Sequence, residues 1–201
     1  GIQVTVNFVP VLLDQLDRYA AGTVKDSFLE LSRKPAEKLS PDETRFVLRY
    51  FFMANWETMV RPHPRYYALL LKRGMHAAAD LEAAARRFSP DEIRDLQVWF
   101  NLAWFGWAAK ARFPVVRAML EKGQAFSEED KNAVLDAQLE CMRAVVPAWK
   151  KLAGEGKVEL TSTPFYHPIL PLLINTRFSQ RAIPDLPLPD AFLAPDDAQE
   201  Q

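Results

Sequence analysis

A handful of side chains in this sequence stand where they could do chemistry. His167, in Phe165-Tyr166-His167-Pro168, offers an imidazole able to take or give a proton near neutral pH. Its competing reading is a histidine bonded to backbone in a proline-bracketed turn. Asn7 can donate a hydrogen bond to a ligand, or cap a turn, the commoner use of that residue. Glu159 is a carboxylate on the polar side of a strand-like run, open equally to a site and to a solvated or ion-paired role. Trp104 and Trp107 carry flat aromatic faces, but their helical spacing in so apolar a segment favours core packing. His63 and His76 lack partners at metal-ligand spacing, and Arg61, Arg65 and Tyr66 around His63 read as a surface cluster, so neither histidine is given a role. The single cysteine, Cys141, can close no internal disulfide and make no zinc site. Set among Val134, Leu135, Leu139 and Val145, it reads as a buried, inert thiol, and no cofactor or metal is expected.

These residues need elements to position them. Residues 2–9 alternate, with Ile2, Val4, Val6 and Phe8 opposed to Gln3, Thr5 and Asn7, which predicts a strand. Beyond Pro10 the spacing becomes helical through Leu12, Leu13, Leu16 and Tyr19, and Gly22 can end that helix in the left-handed conformation. Residues 23–153 then read as a succession of helices. Ser40-Pro41-Asp42-Glu43 and Ser89-Pro90-Asp91-Glu92 each place a hydroxyl at the N-cap, Pro at N1 and Glu at N3. Ser127-Glu128-Glu129-Asp130 varies the same theme, and the segments that follow share no fixed period, so the boxes are local caps and not repeats. After Ser89 a seam of Ile93, Leu96, Phe100, Ala103 and Trp107 joins apolar residues on the other faces, predicting a buried helix. Pro147 should kink or end the helix after Ser127 near Val146. Alternation returns at 157–163, where Val158 and Leu160 oppose Glu159 and Thr161. From Arg177 to 201, Pro184, Pro187, Pro189 and Pro195 among acids suggest an extended tail, loose or starting a helix at its end.

Two strands separated by a long helical stretch predict an α/β enzyme with one βα connection enlarged, since parallel strands require crossovers. Chemistry in such folds sits at the carboxyl ends of the strands, which here means Asn7 with Pro10, and Thr161 through His167. A length of 201 residues forms an ample core but falls short of the about 250 that a full (β/α) barrel takes. One domain, or part of one, is expected. A net charge of -1 supplies no field for nucleic acid or an anionic membrane. No apolar run reaches the about 20 residues of a bilayer span, and the first residues do not resemble a signal peptide, so a soluble chain is expected, cytoplasmic by default. The missing initiator Met ahead of Gly1 leads to the expectation that the natural N-terminus lies upstream.

Three stretches resemble one family. Val6-Asn7-Phe8-Val9-Pro10-Val11-Leu12-Leu13-Asp14-Gln15-Leu16 is similar to the second strand and helix of the family 57 glycoside hydrolases, of the α-amylase and amylopullulanase type. Asp95-Leu96-Gln97-Val98-Trp99-Phe100-Asn101-Leu102-Ala103-Trp104-Phe105 resembles their helical insertion. Gly156-Lys157-Val158-Glu159-Leu160, leading to Phe165 through Leu173, resembles their second conserved region, which reaches the sugar site. The resemblance implies a mainly α chain with two short parallel strands, a partial (β/α)7 barrel with a large helical insertion. It implies a retaining mechanism on α-glucans, with His167, Asn7, Glu159 and Trp104 as substrate-binding candidates. The family's His-Gln-Pro motif and its Trp-Pro-Ser-Glu-like nucleophile stretch have no match here. Retaining hydrolysis needs two carboxyl groups about 5–5.5 Å apart, so the chain is expected to be an interior piece that lacks both catalytic carboxylates and is inactive alone. A piece with open strand edges is also expected to self-associate. A stand-alone helical interaction module and a non-catalytic carbohydrate-binding unit remain the alternatives.

Overall fold

Alternation and a proline set the first turn of the chain. In the computed structural model, which describes residues 3–75 and 80–201, β1 (Val4–Phe8) lies inside the strand predicted over 2–9, with Ile2 outside the described residues. Pro10 opens α1 (Pro10–Ala21), where its missing N–H costs nothing. Gly22 closes it at φ 70: its N–H donates to the Tyr19 carbonyl at 3.1 Å and Thr23 N–H to Arg18 at 3.0 Å, satisfying carbonyls that would otherwise be orphaned.

Contacts divide the chain into two units, one made of residues up to Val24 together with Arg143–Gln201, the other Lys25–Met142. The second unit is helical: α2 (Ser27–Arg33), α3 (Pro41–Tyr50), α4 (Pro64–Arg73), α5 (Leu81–Arg87), α6 (Pro90–Leu102), α7 (Trp107–Arg112), α8 (Pro114–Lys122) and the first half of α9 (Glu128–Gly154). Both predicted capping boxes form. Glu43 N–H donates to Ser40 Oγ at 3.2 Å and Ser40 N–H to Glu43 Oε2 at 2.7 Å, and Ser89 with Glu92 repeats the pattern at 3.3 and 2.8 Å. At the start of α9, Asp130 plays the glutamate's part toward Ser127.

α6 is the centre of this unit and is buried on most of its faces, with Ile93, Leu96, Val98, Trp99 and Leu102 in the core beside Phe51, Tyr66 and Phe126. Its buried polar groups are all partnered. Asp95 accepts Arg65 Nε at 2.7 Å and Phe126 N–H at 3.0 Å. Gln97 donates to the Leu31 carbonyl at 2.6 Å, and Asn101 to Ser32 Oγ at 2.9 Å. The expected seam does not run on to Trp107. Trp104 N–H turns back to Asn101 and Phe105 N–H to Leu102, tightening the chain out of the helix, and Phe105 takes the buried position instead.

Three further expectations need correction. Of the two outcomes expected at Pro147, an end near Val146 does not occur: α9 runs on to Gly154, and the turns on either side carry the helix past one lost N–H. Tyr66 is not at the surface but wholly buried, its hydroxyl donating to the Phe51 carbonyl at 2.6 Å. The tail from Arg177 is not extended at its start, where a 3-10 turn covers Thr176–Arg181, while the helix allowed for its end forms at Pro195–Gln199. Ala194 N–H returns to the Leu173 carbonyl at 2.9 Å.

In the first unit β2 (Val158–Ser162) pairs with β1 in parallel, Val4 opposite Val158, Val6 opposite Leu160 and Asn7 opposite Thr161. The sheet has two strands among the described residues, and α10 (Leu170–Ile174) and α11 (Pro195–Gln199) follow. Phe8 is edge-on to Trp149 of α9 at 5.4 Å, while Val4 is 48% and Leu160 40% exposed. No helix among the described residues is long and apolar enough to cross a membrane.

Candidate functional site

The in-register pairing puts alternate residues of both strands on a common face, because side chains change sides at every step. Thr5 lies opposite Glu159, and Asn7 opposite Thr161. This polar face is exposed. Glu159 is held by Thr5, whose hydroxyl donates to Oε2 at 2.8 Å, which fixes one carboxylate oxygen and leaves the other free to accept. Asn7 and Thr161 stand about 6–7 Å further toward the strands' carboxyl ends, two residues along.

Beyond Ser162 the chain leaves the sheet by a tied-down path. Thr163 N–H donates to the Phe8 carbonyl at 3.3 Å, and Val11 N–H, in the first turn of α1, donates to the Phe165 carbonyl at 3.2 Å. These bonds hold the Thr163–Phe165 exit beside the end of β1. His167 follows at φ 60, its N–H donating to the Pro164 carbonyl at 2.9 Å. A left-handed conformation is unfavourable for a residue with a Cβ and persists only where neighbours impose it; here Pro164 and Pro168 bracket the turn.

Among the described residues no group bonds the imidazole of His167 or the side-chain amide of Asn7, and α1 begins at Val9 without a side-chain cap. Both side chains are exposed. Thr163 was not singled out in the sequence, yet its Oγ1 is buried without a partner in this same exit. The only sequence signal for it was its place between Thr161 and His167. On the polar strand face Glu159 is the one carboxylate among the described residues, so the face by itself holds no acid pair.

A cleft of about 360 Å³ opens at the amino ends of the strands, lined by Gln3, Val4, Thr5, Gly156, Lys157, Val158 and Glu159. It shares Glu159 and Thr5 with the polar face but not Asn7 or His167. A second, of the same volume, lies in the helical unit among Arg65, Asp91, Arg94, Asp95 and Phe126. Its charges are committed to structure: Arg94 pairs with Glu128 at 2.9 Å, Asp91 at 2.8 Å and also Glu37, and Asp95 holds the Ala125–Phe126 backbone, where Ala125 sits at φ 55.

Trp104 and Trp107 overturn the core-packing expectation, being 57% and 93% exposed. Both belong to the helical unit. His63 stacks on Trp99 at 4.4 Å, and burial, helped by Lys110, holds its imidazole below the ordinary value. His76 lies outside the described residues. Cys141 is half-buried and free; burial pushes its thiol up, away from the reactive thiolate. No three His, Cys, Asp or Glu gather as metal ligands among the described residues.

A family model described as Glycosyl hydrolase family 57 matches residues 23–201. No curated protein and no solved structure matches the chain.

Proposed function

The chain belongs to glycosyl hydrolase family 57, and we propose that it forms part of a retaining hydrolase or transglycosidase acting on α-glucans such as starch and maltooligosaccharides. In this reading the sheet is a section of a (β/α)7 barrel, and residues 25–142 are the enlarged helical connection. Asn7 and His167 bond sugar hydroxyls at the carboxyl ends of β1 and β2. Glu159, steadied by Thr5, accepts from a third hydroxyl. Trp104 stacks on a ring. The nucleophile and the acid/base come from elsewhere in a longer protein.

One observation supports this most. Two parallel strands end with polar side chains that are exposed and unbonded, beside a histidine held in a strained turn. Free hydrogen-bonding groups on a tied backbone are preorganised for a polyhydroxylated ligand. A retaining centre needs a second carboxylate about 5–5.5 Å from the first, and the polar face offers Glu159 alone. The purified chain should therefore release no reducing sugar from starch or maltooligosaccharides. Clear turnover would show that a working carboxylate pair is present and sink the proposed division of labour. A carbohydrate-binding unit without catalysis would use the same three side chains. The coding DNA separates the two, through a His-Gln-Pro strand upstream and a Trp-Pro-Ser-Glu stretch downstream.

A further inference from the structure

We propose that the turn between α6 and α7 is a surface platform for a neutral polysaccharide, on which the indoles of Trp104 and Trp107 stack against pyranose rings. The inference rests on the carbohydrate reading of the family and pairs the ring contact proposed for Trp104 with a second one at Trp107. Other tryptophans of the helical unit are used internally. Trp99 is buried and donates to the Gly123 carbonyl at 2.9 Å, and Trp56 is half-buried and donates to Phe52 at 2.9 Å. Trp104 and Trp107 are 57% and 93% exposed, and among the described residues neither indole N–H has a partner. An exposed indole with a free N–H suits a ligand that pairs C–H patches with hydroxyls, because the electron-rich ring face attracts the weakly positive C–H groups.

The turn is built to present them. Phe105, between the two, is 6% exposed and pins the backbone to the core. Ala103 N–H closes on the Trp99 carbonyl at 3.1 Å, so little ordering remains to be lost on binding. Gly106 has open space where a side chain would stand, leaving the approach clear. Two residues lie between the tryptophans, placing their Cα atoms no more than about 11 Å apart, a span that adjacent rings of one chain can bridge. No charged residue occurs between Asp95 and Lys110 in the sequence, which fits a neutral ligand and disfavours an anionic one.

Affinity electrophoresis of the full chain in native gels containing glycogen, soluble starch or a β-linked polysaccharide tests this. Trp104→Ala with Trp107→Ala should weaken the apparent affinity by about tenfold or more without moving the melting temperature, and Trp107→Phe should keep most of it. Glycogen retardation undiminished in the double variant overturns the platform, whatever becomes of the strand ends. An absence of retardation by any of these polysaccharides overturns it too. Retardation by the β-linked polymer only, lost in the double variant, upholds the platform while removing the α-glucan reading.

Discussion

His167 sits at φ 60, which costs a residue with a Cβ about 1–2 kcal/mol relative to its relaxed backbone. Substituting His167→Gly should raise stability by up to about 1 kcal/mol, less glycine's greater entropy in the unfolded chain, while removing the sugar contact. A drop in the melting temperature instead would mean the imidazole holds the fold. His63 gives a second test at this scale. Because burial, helped by Lys110, lowers its pKa in the folded chain, the folded state favours the neutral ring. Its contribution is complete above the ordinary value of about 6.5 and declines as pH falls from there toward the folded value. Thermal melts between pH 8 and 5 should show that decline, and His63→Phe should flatten it; an unchanged slope would contradict the assignment. The candidate positions could be read from strand alternation, since parity put Asn7 on the polar side of its strand and Glu159 and Thr161 on the polar side of theirs, and the register joins the two. The freedom of their side chains could not, because whether Asn7 caps a turn depends on bonds that spacing does not encode. Trp107 was misread because a 3-4 seam assumes the helix continues.

Helix starts were legible because caps are local chemistry: a hydroxyl, a proline and a glutamate within four residues determine the bond pattern. Ser40→Ala and Ser89→Ala should each cost about 1 kcal/mol, measured by denaturant unfolding, and no loss in either would mean that the boxes are decorative. Helix ends were harder. Nothing between Ala103 and Phe105 breaks a helix by composition, and the exit of α6 depends on Phe105 finding a core position that only the folded unit creates. Pro147 shows the reverse, a strong local signal overridden by the turns around it. Asp95 binds α6 to α4 through Arg65 and to the Ala125–Phe126 turn through two backbone N–H groups. Asp95→Ala removes the acceptor of all three donors and should destabilise the chain by about 3–5 kcal/mol.

Over the whole molecule, helical content, the parallel pairing of the two strands and a helical segment inserted between them could be anticipated, whereas the point inside α9 where the units part could not. That division follows from long-range packing, and α9 contributes to both units. Among the described residues the sheet has two strands and leaves Val4 and Leu160 partly exposed, and Tyr166 and Ile169 beyond β2 are exposed as well. Parallel sheets are ordinarily covered on both faces, so the chain should self-associate as its concentration rises; sedimentation of a clean monomer at high concentration would count against this. The central claim is that the carboxyl ends of β1 and β2 receive the sugar. Its most direct test is a titration of the isotope-labelled, backbone-assigned chain with a maltooligosaccharide, followed by amide chemical shifts. Saturable shifts at Asn7, Glu159, Thr161 and His167 are predicted. Amides that stay still at all four positions, while saturation is reached elsewhere or never, would contradict it.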